Sequence, residues 1–301
     1  MTCRTGTGPG CVVSADHQTG RMVWHTSSDL REHVANADAF LRERPTENTV
    51  LLTVAATLRE RGHHAYGTVD PLFGWCRSSG GEVVGAFLHT PPRGVLLSHM
   101  PVEAARALPD ELAALGRRFG EIHGHAPLVE AFTARQREIA GAPRLMRHER
   151  LYRLGELAWP SPAPAGSARR ARPGDRAALV SWHDAFAREI GDPESVATVA
   201  VDYRIGYGGL LVWEVDGVAT SMAGVSRPIA DMARIGPVYT PPEFRGRGYA
   251  GAVTAAASEV ARQAGAREVL LFADMANPTS NGLYQRLGFR AAGDYLVMAF
   301  D

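Results

Sequence analysis

The stretch Pro241–Gly251, PPEFRGRGYAG, joins a strand-like run to a run of alanines and constrains the fold more than any other part of the chain. The run before it, ARIGPVYT (233–240), alternates as a strand does, and two prolines end it because proline cannot donate to a sheet ladder. Gly246 and Gly248 can adopt the positive φ of a tight turn, and the helix-forming run from Tyr249 carries on to a terminating Gly265. Free amide N–H groups and the positive end of the helix dipole then face one spot, a cradle suited to a pyrophosphate. Gly246, Gly248 and Gly251 also satisfy G-x-G-x-x-G, the glycine fingerprint of dinucleotide-binding folds. That fold needs its first glycine directly after the strand, whereas five residues (Pro241–Arg245) intervene here. It also needs a further β-α-β-α-β, and the 27 residues after Asp274 are too few to supply one. A dehydrogenase is excluded.

Composition narrows the chemistry. The 301 residues, 45% apolar, suit two domains. Thirty-two basic residues balance thirty-two acidic ones, so no global field draws the chain to nucleic acid or to an anionic membrane. All the basic residues are arginine. Without lysine there is neither a Walker A loop nor Schiff-base chemistry. Cys3, Cys11 and Cys76 are too few and too scattered for a metal cage, and no metal is expected; reduced thiols fit a cytoplasmic protein. Residues 1–21 lack the apolar core of a signal peptide and read as a flexible tail or as translation upstream of a start at Met22, and no run approaches the roughly 18 apolar residues of a membrane span.

The proline- and serine-rich segment Ala158–Asp175 reads as a linker, with a boundary near residue 162. Beyond it, Asp216-Gly217 centres a hairpin over 209–226, residues 268–274 (EVLLFAD) form a buried strand, residues 277–288 a capped helix, and YLVMAF a last strand. The first half repeats this order at an offset near 138. Trp75 answers Trp213, GEVVGAFLHTPP answers GVATSMAGVSRP, and GVLLSHMP (94–101) takes the place of ARIGPVYT. The glycine loop has no counterpart there. Two related units follow, one without its site.

Arg245-Gly246-Arg247-Gly248-Tyr249-Ala250 fits R-x-x-G-x-A, and NPTSNGLYQRLGF fits N-x-x-S-x-x-L-Y-x-x-x-G-F through Asn277, Ser280, Leu283, Tyr284, Gly288 and Phe289. The two motifs, in this order across a buried strand, resemble the GNAT superfamily of N-acetyltransferases, strongly over residues 168–301 and faintly before. The resemblance implies an α/β (α+β) fold of two GNAT-like domains, each a mixed, mostly antiparallel sheet flanked by helices. Residues 22–162 would be a degenerate copy that shapes the acceptor pocket or supports assembly, and residues 163–301 the catalytic copy. It implies acetyl-CoA as co-substrate. Backbone groups of Val238, Tyr239 and Thr240 would pair with the pantetheine arm, residues Arg245–Ala250 would hold the pyrophosphate, and Asn277 and Ser280 would touch the arm further along. Tyr284 would stand near the sulfur, and its hydroxyl, protonated at neutral pH, could donate to the leaving thiolate.

The base is left open among Asp231, Glu214 and His183, or none. His123 and His125 read as a surface loop, and the basic cluster Ala168–Arg176 as solvated linker. The expected activity is acetyl transfer to the primary amine of a small molecule, with neither nucleic acid nor membrane as partner and a homodimer allowed for. A carrier-protein or aminoacyl-tRNA donor, and a protein that binds acyl-CoA without transfer, remain as alternatives.

Overall fold

One order of elements, β-α-α-β-β-β-α-β-α-β, occurs twice along the chain. The computed structural model describes residues 22–141, 143–192 and 196–300. The first round comprises β1 (Val23–Ser27), α1 (Leu30–Glu43), α2 (Thr49–Arg61), β2 (Leu72–Arg77), β3 (Val83–His89), β4 (Val95–Leu97), α3 (Val102–Ala114), β5 (Glu121–His125), α4 (Ala126–Ala140) and β6 (Arg144–Leu154). The second comprises β7 (Ser167–Arg170), α5 (Arg176–Glu189), α6 (Ala197–Tyr207), β8 (Leu210–Val215), β9 (Val218–Val225), β10 (Met232–Tyr239), α7 (Tyr249–Gln263), β11 (Glu268–Asp274), α8 (Pro278–Arg286) and β12 (Phe289–Ala299). The repeat lies in this order of elements and not in single residues: Trp75 on β2 packs on the α1/α2 side of the sheet, whereas Trp213 on β8 packs on the α7/α8 side.

The strands make a single twelve-stranded sheet in the order β1-β2-β3-β4-β5-β12-β6-β11-β10-β9-β8-β7. The two halves meet in its middle, and each lends its last strand to the other. β6 runs antiparallel to β11 on one side and to β12 on the other, while β12 also pairs with β5. In each half only the fourth and fifth strands are parallel, β4 with β5 and β10 with β11.

Local chemistry explains the elements near the site. The hairpin β8–β9 turns on Asp216 and Gly217, both at positive φ (48° and 80°), the pairing that matches strand twist. α7 is alanine-rich because it lies flat on the sheet: ten of its residues are buried, among them Ala252, Ala255, Ala256 and Ala257. It stops where Gly265 takes φ 97°.

Helices α1 and α2 cover one face of the sheet over Phe73, Leu88, Leu151 and Leu270, and α5 and α6 extend that layer over Val212 and Met222. On the opposite face α3 and α4 pack on Phe87 and Ile122, and α7 and α8 on Leu211, Ala233 and Leu271. The cores are shared between halves, since Leu151 sits with Met232 and Leu270, and Tyr152 with the residues of α7. Two further ties join them. Glu60 on α2 pairs with Arg227 and accepts from Tyr203 on α6, whose ring lies under Arg61 (5.1 Å), and Arg93 holds both carboxylate oxygens of Asp192 at 2.9 Å.

The expected linker is partly sheet. Residues 167–170 form edge strand β7, and Arg169 bridges Asp175 (2.7 Å) and Glu214 (2.5 Å), so the basic cluster is not a solvated tether. Charge balance was invisible in a linear reading because Glu214 lies 45 residues away. The tail, Cys3 and Cys11 lie outside the described residues. No described helix is long and apolar enough to cross a membrane.

Exchange of the last strands predicts that the halves do not fold apart. Residues 163–301 expressed alone lack β6 and should give a poorly dispersed amide NMR spectrum, restored when residues 22–162 are supplied in trans. A cooperatively melting, well-dispersed isolated half would contradict this reading.

Candidate active site

The parallel pairing of β10 with β11 lasts only from Met232–Arg234 to Glu268–Leu270. Beyond it β10 shifts register against its other neighbour, β9, between Ile235 and Val238, and Pro237 lacks an N–H to offer. The strands therefore part, leaving a cleft of about 670 Å³ that passes through the sheet, a volume typical of a small-molecule site.

At one end stands the glycine loop. Gly246 and Gly248 take φ 78° and 83°, the left-handed values that a β-carbon disfavours. The first backbone bond of α7 runs from the Ala252 N–H to the Gly248 carbonyl (3.1 Å), so the amides of Tyr249, Ala250 and Gly251 have no partner within the helix, and all three residues line the cleft. Arg245 and Gly246 line it as well, whereas Arg247 is exposed and does not. Arg245 ties the loop to α5: its Nη2 meets Glu189 at 2.6 Å, its Nε donates to the Thr240 carbonyl at 2.9 Å, and the Glu189 hydrogen bond raises its pKa.

Val238, Tyr239 and Thr240 form the β10 wall. Ser221 donates to the Tyr239 carbonyl (3.1 Å) and shares a hydrogen bond with the Thr240 hydroxyl (2.8 Å), so part of this backbone is already engaged from below. Asn277 and Ser280 reach the cleft at the start of α8, where the Asn277 side chain caps the helix by accepting from the Ser280 N–H (3.0 Å).

Tyr284 projects from α8 on the α7/α8 face, 7% exposed, against the rings of Tyr152 and Phe289 (centroids 6.4 and 6.0 Å). Burial alone pushes its pKa up to about 12, so it holds its proton at neutral pH.

Across the sheet the walls are Phe272, Asp274, Arg147 and Glu149. Glu149 pairs in register with Asp274 on β11 and with Tyr295 on β12, which puts these three on one face. Its side chain is 18% exposed, with Arg147 Nε at 3.4 Å and His123 Nε2 at 3.5 Å. Both distances exceed a good hydrogen bond. His123 is thus no surface-loop residue: it belongs to strand β5, and burial keeps its imidazole towards the neutral form.

None of the three base candidates lines the cleft. Asp231 is exposed at the bend before β10, Glu214 is committed to Arg169, and His183 lies half-buried on α5 with burial lowering its pKa. Sequence reasoning missed Glu149 because β6 belongs to the other half; no motif marks it, and its approach to the site depends on strand exchange. Among the described residues no group of three or more His, Cys, Asp or Glu could hold a metal ion.

Residues 177–289 match the acetyltransferase (GNAT) family in sequence. They are a GNAT acetyltransferase domain. The whole chain shares its fold with a GCN5-related N-acetyltransferase from Sphaerobacter thermophilus (16% identity, TM-score 0.61, covering 92% of this chain and 95% of that one) and with a GNAT-family acetyltransferase from Colwellia psychrerythraea (13%, 0.58, 93% and 100%). A tandem GNAT protein from the clavulanic acid biosynthesis pathway is likewise similar (14%, 0.51, 93% and 98%). No curated protein matches the chain in sequence. The matched segment holds the glycine loop, β11 and α8, and ends at Phe289. Glu149 and Arg147 lie outside it, yet line the same cleft as the GNAT motifs.

The amide cradle depends on Gly248. A Gly248→Val substitution forces a β-branched residue to φ 83° and should displace the loop, costing about 1–2 kcal/mol. Millimolar inorganic pyrophosphate should raise the melting temperature of the wild type and leave that of the variant unchanged, as read by differential scanning fluorimetry.

Proposed function

We propose that this protein transfers an acetyl group from acetyl-CoA to the primary amine of a small molecule, in the cytoplasm. The observation that carries the reading is one cleft that joins an amide cradle at the start of α7, an unpaired strand edge on β10, and Tyr284 and Glu149 on opposite faces of the sheet. The residues fit the donor. A chain of alternating polar and apolar parts can lie along the open edge of β10 like an added strand while its pyrophosphate meets the amides of Tyr249 and Ala250. When bound, acetyl-CoA supplies an activated acyl carbon and a thiolate leaving group.

The protein's own groups divide the remaining work. Glu149, facing the cleft from β6, takes the proton that an amine must lose as its nitrogen bonds to the acyl carbon. Tyr284, fully protonated, gives its proton to the sulfur as the carbon–sulfur bond breaks. The nearby apolar walls, Phe272, Leu283 and Ile235, exclude water that would otherwise compete for the acyl group.

The first half has no glycine loop: β4 ends at Leu97, and Pro101 caps α3 directly. The equivalent position is a cavity of only about 180 Å³ between Ser98 and His125, bordered by Tyr295. Its role in this reading is to shape the acceptor pocket through β6. Cys76, buried and free, suits a reducing compartment.

Release of free thiol from acetyl-CoA in an amine screen tests the activity. Tyr284→Phe should lower kcat about 10²-fold, within the range for a positioned acid, with donor affinity unchanged by calorimetry. Titration should return one donor per chain, and a stoichiometry of two would sink the assignment of the first half.

A further inference from the structure

Five neighbouring strands place an unusual set of side chains on the α1/α2 and α5/α6 face: Arg234 on β10, Asp274 on β11, Arg147 and Glu149 on β6, Tyr295 on β12 and His123 on β5. Three buried nitrogens among them, Arg234 Nη1, Arg147 Nε and His123 Nε2, have no hydrogen-bond partner. Buried donors in folded proteins are almost always satisfied, so three orphans side by side mark a place where something else binds.

The charges do not balance. Arg204 of α6 adds a third guanidinium, anchored at 3.3 Å on the Gly236 carbonyl and close enough for its charge to act on Arg234. Against these three cations stand Glu149, and Asp274, one of whose oxygens already accepts from the Ala276 N–H at 2.8 Å. Burial, the larger effect, pushes the Arg234 pKa down to about 10, so the guanidinium stays charged at neutral pH, and the carboxylate that acts on it, Glu149, is shared with Arg147 and His123.

We propose that the acceptor is an amine that also carries a carboxylate, an amino acid in the broad sense, whose carboxylate bridges Arg147 and Arg234 while its amine faces Glu149. This rests on the amine-transfer reading above. Arg147 and Glu149 line the cleft, and Arg234 lies on the same face of the sheet, close enough to Glu149 for their charges to act on each other; a planar, two-oxygen anion meets guanidinium forks there, and a cationic amine meets a carboxylate that opens into the cleft. The pyrophosphate of the donor cannot fill this role, because its cradle lies at the start of α7, on the far side of the parted strands. The acceptor is compact, because the Glu60–Tyr203–Arg227 contact ties α2 to α6 over this face.

Matched sets of α-, β- and γ-amino acids, their methyl esters and their decarboxylated amines, offered with acetyl-CoA and followed by thiol release, test the proposal. Free acids should exceed their esters by about 10²-fold or more in kcat/KM, the scale of losing one buried charge-assisted contact. Arg234→Met should raise KM for the best acid by a similar factor and bring acid and ester within about threefold, while Arg234→Lys keeps part of the preference and donor affinity is unchanged in both. Should Arg234→Met not fold, Arg147→Gln is read in the same way, and the acid–ester comparison on the wild type stands without any variant. Esters or decarboxylated amines accepted as well as acids, or used in preference to them, overturn the carboxylate assignment and leave amine transfer intact. If no amine in any set releases thiol from a protein that binds the donor, amine transfer itself falls, and this assignment with it.

Discussion

Everything at the centre of this molecule depends on a strand from one half standing between two strands of the other. β6 fills the space between β11 and β12, and without it β11 would present an unpaired, hydrophobic edge at the cleft. The same strand carries alternating roles on its two faces. Leu151 packs under α2 and Tyr152 under α8, while Arg147 and Glu149, nearer its start, enter the cleft. Stability and site composition are therefore set by one eleven-residue element.

The cleft itself follows from a failure of pairing. Parallel strands β10 and β11 stop pairing after Arg234, where β10 also shifts register against β9, and the gap opens from one face of the sheet to the other. Two sets of cleft residues are thereby kept apart: the glycine loop, α7 and Tyr284 belong to one layer, and Glu149 and Arg147 to the opposite one. Tyr284 keeps its proton because it is buried, which raises its pKa to about 12.

Much of this was legible in the sequence, and the reasons are local. The turn at Asp216-Gly217, the proline stop at Pro241, the start of α7 at Tyr249 and the cap at Asn277 are each dictated by neighbouring residues, and each fell within a residue or two of its expected place. The repeat was visible in the order of strand-like and helix-like runs, although the pair that suggested it, Trp75 and Trp213, faces opposite sides of the sheet. What could not be read was long-range. Edge strand β7 hid in a proline-rich segment because its stabilising partner, Glu214, is remote in sequence. His123 looked like a loop residue because only one other histidine lies near it in sequence, and pairing with Val297 of β12 and Leu96 of β4 makes it a strand residue. Glu149 belongs to no motif, since its position follows from the exchange of strands and not from its neighbours in the chain.

The exchange also bears on how such a chain can change over time. Two identical units trading their last strands would form a closed pair with two equivalent clefts, each lined partly by the other unit. Joining them in one polypeptide removes the symmetry requirement, so a substitution in the first half alters only one cleft. The half without a glycine loop is then no relic that could be deleted. It holds a wall of its neighbour's cleft, and it can vary the chemistry of that wall while the glycine loop stays fixed.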